Sequence, residues 1–282
     1  MRRLVLFLIL IGIATVAFAQ LKDLKPGFNL FSSQQDIQLG QESAVQVAQQ
    51  QPVVQNAQLT AYLNNVVARL ANTPHGKSEF PYKVNAIASK DINAFALPGG
   101  PIFVYTGLIG EASNESELAG VLAHEMTHVK LRHGTNQATQ ANLIELPFAL
   151  AEKAVGSGSL LGQLTQLGIG LGFNSIILKM SRGHESEADY NGAQTMAEAG
   201  YNPLSMAQFF QKLEAKGRAE NRLTQFLSDH PNPGNRVKAV QDEIRQMPQR
   251  SYRAETGQFP AMKQLVSTIP VPPPPKPISQ NQ

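Results

Sequence analysis

Residues 118–129 constrain this chain most tightly, because two histidines and a glutamate interrupt a run that is otherwise largely apolar. Leu118, Val121, Leu122 and Val129 recur at helical spacing and mark a helix of the buried kind. Within it stands His124-Glu125-Met126-Thr127-His128. Residues four apart share a helix face, so both imidazoles reach one point, and Glu125 beside His124 approaches a water held there. Burying these three groups is costly unless they coordinate or pair with something. The chain has no cysteine, so thiolate zinc sites, a cysteine nucleophile, disulfides and an acylated lipoprotein cysteine are excluded. Any metal must be held by histidine and carboxylate.

Two histidines do not complete a catalytic zinc site, which takes three protein ligands and a water. Candidates for the third lie in His184-Glu185-Ser186-Glu187-Ala188-Asp189. Glu185 and Asp189 are one helical turn apart, so one can bind metal while the other hydrogen-bonds a ligand histidine. Glu187 points away from that pair and reads as a solvated charge, and His184 reads as exposed or capping. His230 precedes Pro231 in a loop rich in Pro, Asn and Gly, where a histidine is ordinarily a solvated turn residue.

The rest of the sequence sets this helix in a frame. Arg2 and Arg3, an apolar stretch over 4–18 and Ala17-Phe18-Ala19 read as a secretory signal peptide over 1–19, which predicts export to the periplasm or cell envelope. Of 24 Lys and Arg, two fall in that segment; the remaining 22 against 21 acidic residues argue for no nucleic-acid partner. Helices are predicted over 36–50 and 56–71, separated by Pro52. The pattern turns to β over 82–106, where residues 93–96 and 102–106 flank Pro98-Gly99-Gly100-Pro101 as the arms of a hairpin. The metal helix is predicted from an Asn114 cap to His133, with Gly134 as its stop and Lys130, Arg132 and His133 complementing its dipole. A mostly helical stretch over 136–155 follows. Residues 156–172 alternate glycines with leucines and isoleucines, which predicts a mobile flap or peripheral membrane contact, with a buried helix pair as the plain alternative. Further helices are predicted over 183–199, from Pro203, and up to about Pro248. The fold class is α+β: a mainly helical domain over 20–250 with a small antiparallel sheet beside the metal helix, then a proline-rich flexible tail over 251–282.

These motifs carry a resemblance. His124-Glu125-x-x-His128 followed by Glu185-x-x-x-Asp189 resembles the metallopeptidase family of the CAAX prenyl endopeptidases, the mitochondrial Oma proteases and the bacterial periplasmic protease BepA. Asn93-Ala94-Phe95-Ala96-x-Pro98-Gly99-Gly100, with Ile102-x-Val104-x-Thr106-Gly107-Leu108, is similar to the strand hairpin before the metal helix in that family. His230-Pro231 with Arg236 is similar to its late His-Pro motif. The resemblance, spanning roughly residues 36–247, implies a gluzincin-type domain with one zinc ion held by His124, His128 and Glu185. It further implies Glu125 as general base, Asp189 behind a ligand, and His230 and Arg236 facing the active site. Two roles stay open for His230: donor to the oxyanion of the tetrahedral intermediate, or a fourth ligand that keeps the enzyme latent. An edge strand binds an extended chain by adding it as another strand, so Asn93, Ala94 and Phe95 become the expected substrate contacts. Unfolded or misassembled envelope polypeptides are the implied substrates, and a chaperone-like binder with structural zinc is the rival reading. The sequence departs from the family's larger members in lacking the multiple membrane spans of the CAAX enzymes and in ending on a proline tail where BepA-like proteins carry a tetratricopeptide domain.

Overall fold

A computed structural model of the chain describes residues 22–143, 159–160, 162, 164, 180–217, 221–232, 234–248 and 250–273. The segment expected to be a signal peptide, most of 144–179 and residues 274–282 lie outside the described residues.

Two capped helices open the fold. α1 (Ser33–Gln50) starts at Ser32, whose side chain accepts from the Gln35 N–H while the Gln35 side chain accepts from the Ser32 N–H. α2 (Ala57–Ala71) starts at Asn56, which accepts from the Leu59 N–H. It buries Leu59, Leu63, Val66, Val67 and Leu70, the stripe its spacing predicts.

β1 (Lys83–Ile87), β2 (Ala94–Ala96) and β3 (Pro101–Tyr105) form one sheet in the order β1-β3-β2. The expected hairpin is present, with β2 and β3 antiparallel and Phe95 opposite Phe103. The sheet as a whole is mixed rather than antiparallel, because β1 lies parallel to β3. Ile102, Phe103 and Val104 are buried, so β3 cannot stand as an exposed edge and takes a strand on each side. At the hairpin turn Gly99 has φ 72°, and a Cβ there would meet Ile37 Cα at 2.4 Å. Glycine therefore lets α1 close directly on the turn.

α3 (Thr106–Glu111) follows β3 without a loop and leads to α4 (Glu115–Lys130), the helix with both histidines. Asn114 caps it by accepting from the Glu117 N–H. Every residue from Glu115 to Val129 except Glu117 is buried. The expected stop at Gly134 falls two residues earlier, since Arg132 takes the left-handed conformation at φ 58° and α5 (His133–Ala141) starts directly after it. Tertiary contacts hold this non-glycine residue there: Arg132 Nε donates to Asp36 Oδ2 at 2.7 Å and Nη2 to the Phe31 carbonyl at 2.6 Å.

α6 (Arg182–Ala199) begins after a Ser181 cap, one residue ahead of the predicted start, and ends at the predicted Ala199 on left-handed Gly200. α7 (Leu204–Gly217) packs on α4, while a 3₁₀ turn at Asn221–Leu223 and α8 (Thr224–Asp229) pack on α7, and α9 (Arg236–Ile244) packs on α7 and α6. α4 and α7 come so close that a Cβ on Gly120 would stand 2.7 Å from Met206 Cβ.

One expectation is corrected at the C-terminal side. Residues 251–273 belong to the fold, because α10 (Phe259–Thr268) buries Phe259, Met262 and Val266 against α3 and α2. The apolar i, i+3, i+7 stripe needs cover, and it outweighs the composition bias of the prolines beyond it. No described helix is long and apolar enough to cross a membrane. Phe259→Ala should cost about 3–5 kcal/mol of folding stability, read as a lower urea midpoint; an unchanged midpoint would return residues 251–273 to an unpacked tail.

Candidate metal centre

α4 and α6 pack along each other and supply the site in pairs one turn apart, His124 with His128 and Glu185 with Asp189. Residue 230, at the C-terminal end of α8, adds a third buried histidine. One ligand atom from each of His124, His128, Glu185 and His230 fits within a span of 4.8 Å. Zinc bonds of about 2.0–2.2 Å in a tetrahedron separate neighbouring ligand atoms by about 3.3 Å. Here the two histidine Nε2 atoms of α4 are 3.0 Å apart, and each lies 3.4 Å from a Glu185 oxygen. His230 Nδ1 is 3.3 Å from His124 Nε2 and 3.2 Å from Glu185 Oε1. Nitrogen and carboxylate donors at these spacings fit zinc.

The surroundings hold the candidate ligands in place. Asp189 Oδ1 accepts from His124 Nδ1 at 3.1 Å, which turns Nε2 toward the other ligands. Arg236 spends its guanidinium on the two acids of α6, with Nε 2.5 Å from Asp189 Oδ2 and Nη2 2.9 Å from Glu185 Oε2. Its far face lies 4.2 Å from the Phe210 ring centre. Arg236 thus orients the two carboxylates of α6. Burial opposes ionisation throughout, yet neighbours prevail at three positions. The charges of His230 and His124 hold Glu185 well below the usual carboxylate range. Glu185 and Asp189 push His124 up to about 9, and Glu185 and Glu125 raise His230. For His128 burial wins and its pKa is lowered. Burial also raises Glu125, whose Oε1 has no hydrogen-bond partner among the described residues and lies 3.5 Å from His230 Nε2.

Three more residues fall differently from the sequence reading. Glu187 is half-exposed, and its Oε2 accepts from His133 Nε2 at 3.1 Å rather than facing solvent alone. His184 lies parallel to His133, ring centres 4.4 Å apart, and its backbone N–H meets the Ser181 cap. His133, read from sequence only as a helix-end charge, sits 2.9 Å from His128 Nδ1. Its signal was present: a ligand imidazole needs a partner on its outer nitrogen, and a histidine five residues on is within reach.

Among the expected substrate contacts, Asn93, Ala94 and Phe95 are all buried, with Phe95 stacked on Phe103 at 5.3 Å. What β2 can offer is backbone. Asn93 with Tyr105 and Leu97 with Pro101 form the hydrogen-bonded pairs to β3, so the groups of Ala94 and Ala96 turn to the open edge. Asn93 Oδ1 already takes the Ala94 N–H. Ala96 lines a small pocket with Leu97, His128, Arg132, Thr135 and Met180.

Paired HExxH histidines, a carboxylate from a second helix and an unliganded glutamate beside them define a metalloendopeptidase centre of the HExxH type. The model of peptidase family M48 matches residues 55–244, and the chain belongs to that family, whose members use zinc. The chain is 30% identical over 253 residues to the "Beta-barrel assembly-enhancing protease" of Escherichia coli (strain K12), covering 84% of this chain and 50% of that protein. "Mitochondrial metalloendopeptidase OMA1" of Schizosaccharomyces pombe is 28% identical over 198 residues, 70% of this chain and 56% of that one. "Metalloprotease LoiP" of Escherichia coli (strain K12) is 30% identical over 193 residues, 67% and 72% respectively. The chain spans about half the length of the first two.

Zinc takes the neutral imidazole, whereas free His124 with its pKa near 9 keeps a proton at neutral pH. The zinc dissociation constant should therefore rise about tenfold for each pH unit lost from 8 to 7. A pH-independent constant in chelator competition would show that His124 is neutral in the metal-free protein.

Proposed function

We propose that this chain is an exported zinc-dependent endopeptidase that hydrolyses peptide bonds in extended or misfolded polypeptides of the cell envelope. The observation that carries the reading is Glu125: a buried carboxylate whose Oε1 has no hydrogen-bond partner among the described residues, beside the four-residue cluster. Such a group is costly to bury, and a purely structural metal site has no use for it.

His124, His128 and Glu185 would hold the ion. Bound zinc supplies Lewis acidity that lowers the pKa of a water towards about 7 and polarises the scissile carbonyl. Glu125 accepts the proton of that water and returns it to the leaving amine nitrogen; burial, by raising its pKa, suits it to both transfers. Asp189 and Arg236 keep His124 and Glu185 oriented meanwhile. The open edge of β2 at Ala96 would align the substrate backbone beside His128, reading main chain more than sequence. That mode suits unfolded polypeptide, and a relative named for enhancing β-barrel assembly supports an envelope substrate. The signal-peptide pattern over 1–19 supports export; intact mass of the exported protein should begin at Gln20.

His230 has two roles to separate. Donation to the oxyanion predicts a loss of about 10²–10³ in kcat for His230→Ala. Service as a fourth ligand predicts a gain, because the open position is then freed for water. The second role is supported by the spacing of His230 Nδ1 from His124 and Glu185, which matches the spacings among the other ligand atoms. It also favours, as a rival, a closed structural zinc in a chaperone-like binder. Glu125→Gln and His230→Ala, assayed on unfolded casein with zinc content measured, divide these readings. Glu125→Gln should keep zinc and lose nearly all turnover. His230→Ala should keep zinc and raise basal turnover. A wild type with full zinc that is inactive and stays inactive as His230→Ala would favour the binder.

A further inference from the structure

We propose that His133 and Glu187 form a relay that fixes the ring of His128 for metal binding, with His133 as the positioning residue and Glu187 as its outer anchor. This rests on the zinc site proposed above and concerns how one of its ligands is held.

Nε2 of His128 faces the ligand cluster, 3.0 Å from His124 Nε2 and 3.4 Å from Glu185 Oε1. A ring that offers Nε2 as a lone pair carries its hydrogen on Nδ1. That nitrogen lies 2.9 Å from His133 Nδ1, so His128 donates and His133 accepts. With Nδ1 of His133 accepting, its hydrogen belongs on Nε2, which stands 3.1 Å from Glu187 Oε2 and donates to it. Each contact sets the tautomer of the ring before it, and the sequence of donors ends on a carboxylate that can only accept.

His133 is itself pinned. Its side chain is only 2% exposed, and His184 covers it face to face with 13° between the ring planes. His184 Nε2 in turn lies 3.1 Å from Asn136 Oδ1. The backbone of residue 133 follows left-handed Arg132, so its Cα is fixed by the Arg132 contacts with Asp36 and Phe31. A histidine merely filling space would not need its acceptor aimed at the one outer nitrogen of a ligand.

The two α4 ligands are thus supported differently. His124 meets a carboxylate directly, the buried Asp189. His128 meets an imidazole, and the carboxylate behind it is on a side chain 44% exposed. Loss of the His133 acceptor should therefore matter more than loss of the Glu187 charge, which water already screens.

The test is zinc affinity by chelator competition on the full folded chain. His133→Asn keeps an acceptor where Nδ1 was, because Oδ1 grows from the same Cγ. His133→Gln moves its polar end out toward Glu187. His133→Gln and His133→Ala should raise the zinc dissociation constant about 10–100-fold, and His133→Asn should recover most of that loss. Glu187→Gln should weaken binding less than about tenfold, and adding it to His133→Ala should cause no further loss. Equal affinities for His133→Asn and His133→Gln would overturn the relay and leave His133 a packing residue, even if His133→Ala does not fold. So would a folded His133→Ala that binds zinc like wild type. His128→Ala separates this from the site itself: wild-type zinc affinity there would refute the ligand assignment whatever His133 does.

Discussion

A carboxylate removed from water has to be matched by positive charge or by protons, and Glu185 is matched from four directions. It is fully buried, within 3.4 Å of nitrogens on His124, His128, His230 and Arg236. Taking away one member of such a buried group while leaving the others charged costs about 3–5 kcal/mol. The elements around it are accordingly fixed at their ends. Ser181 caps α6 one turn before Glu185, and the Met180 N–H donates to the Asp229 carbonyl, tying the start of α6 to the loop that carries His230. Arg236 is the first residue of α9, so the register of that helix decides whether its guanidinium meets both acids.

Much of this was legible in the sequence, because the chemistry is written at helical spacing. His124 and His128, and Glu185 and Asp189, lie four apart on their helices, and the structure turns each pair toward the other. Asn114 caps its helix as predicted, and Asn56 and Gly200 bound the helices predicted over 56–71 and 183–199, since each is a local contact between a side chain or a backbone angle and the adjoining turn. The hairpin around Gly99 and Gly100 is equally local.

What escaped the sequence depends on distant partners. Nothing near 83–87 says that β1 will run parallel to β3; that follows from the need to cover a strand buried along its middle. The stop at Arg132 depends on Asp36, almost a hundred positions earlier, and not on any residue that favours positive φ. α10 reads as part of a proline-rich tail until Phe259, Met262 and Val266 are seen against α3 and α2. The late motif sets Arg236 six residues after His230, and only the positions of Asp189 and Glu185 show where its donors go.

Chain outside residues 55–244, the part matched by the family model, adds contacts at both ends of the metal helix. At the N-terminal end the buried carboxylate of Glu115 accepts from Tyr62 and Tyr201 and from Thr256, whose Oγ1 lies 2.6 Å away, while Ser116 donates to Glu255. At the C-terminal end Arg132 reaches Asp36 and Phe31, and Asn29 donates to Thr135 on α5. A helix with this many buried polar groups gains little from hydrophobic burial at the very positions where the metal ligands sit. Charged and hydrogen-bonded contacts at its two ends add to the packing of Leu118, Val121, Leu122 and Met126 in fixing its axial position. A slip of one residue would break the Glu115 and Arg132 contacts together and carry both histidines off the face that meets Glu185. The flanking segments therefore belong to the metal centre in a physical sense, although they contribute no ligand.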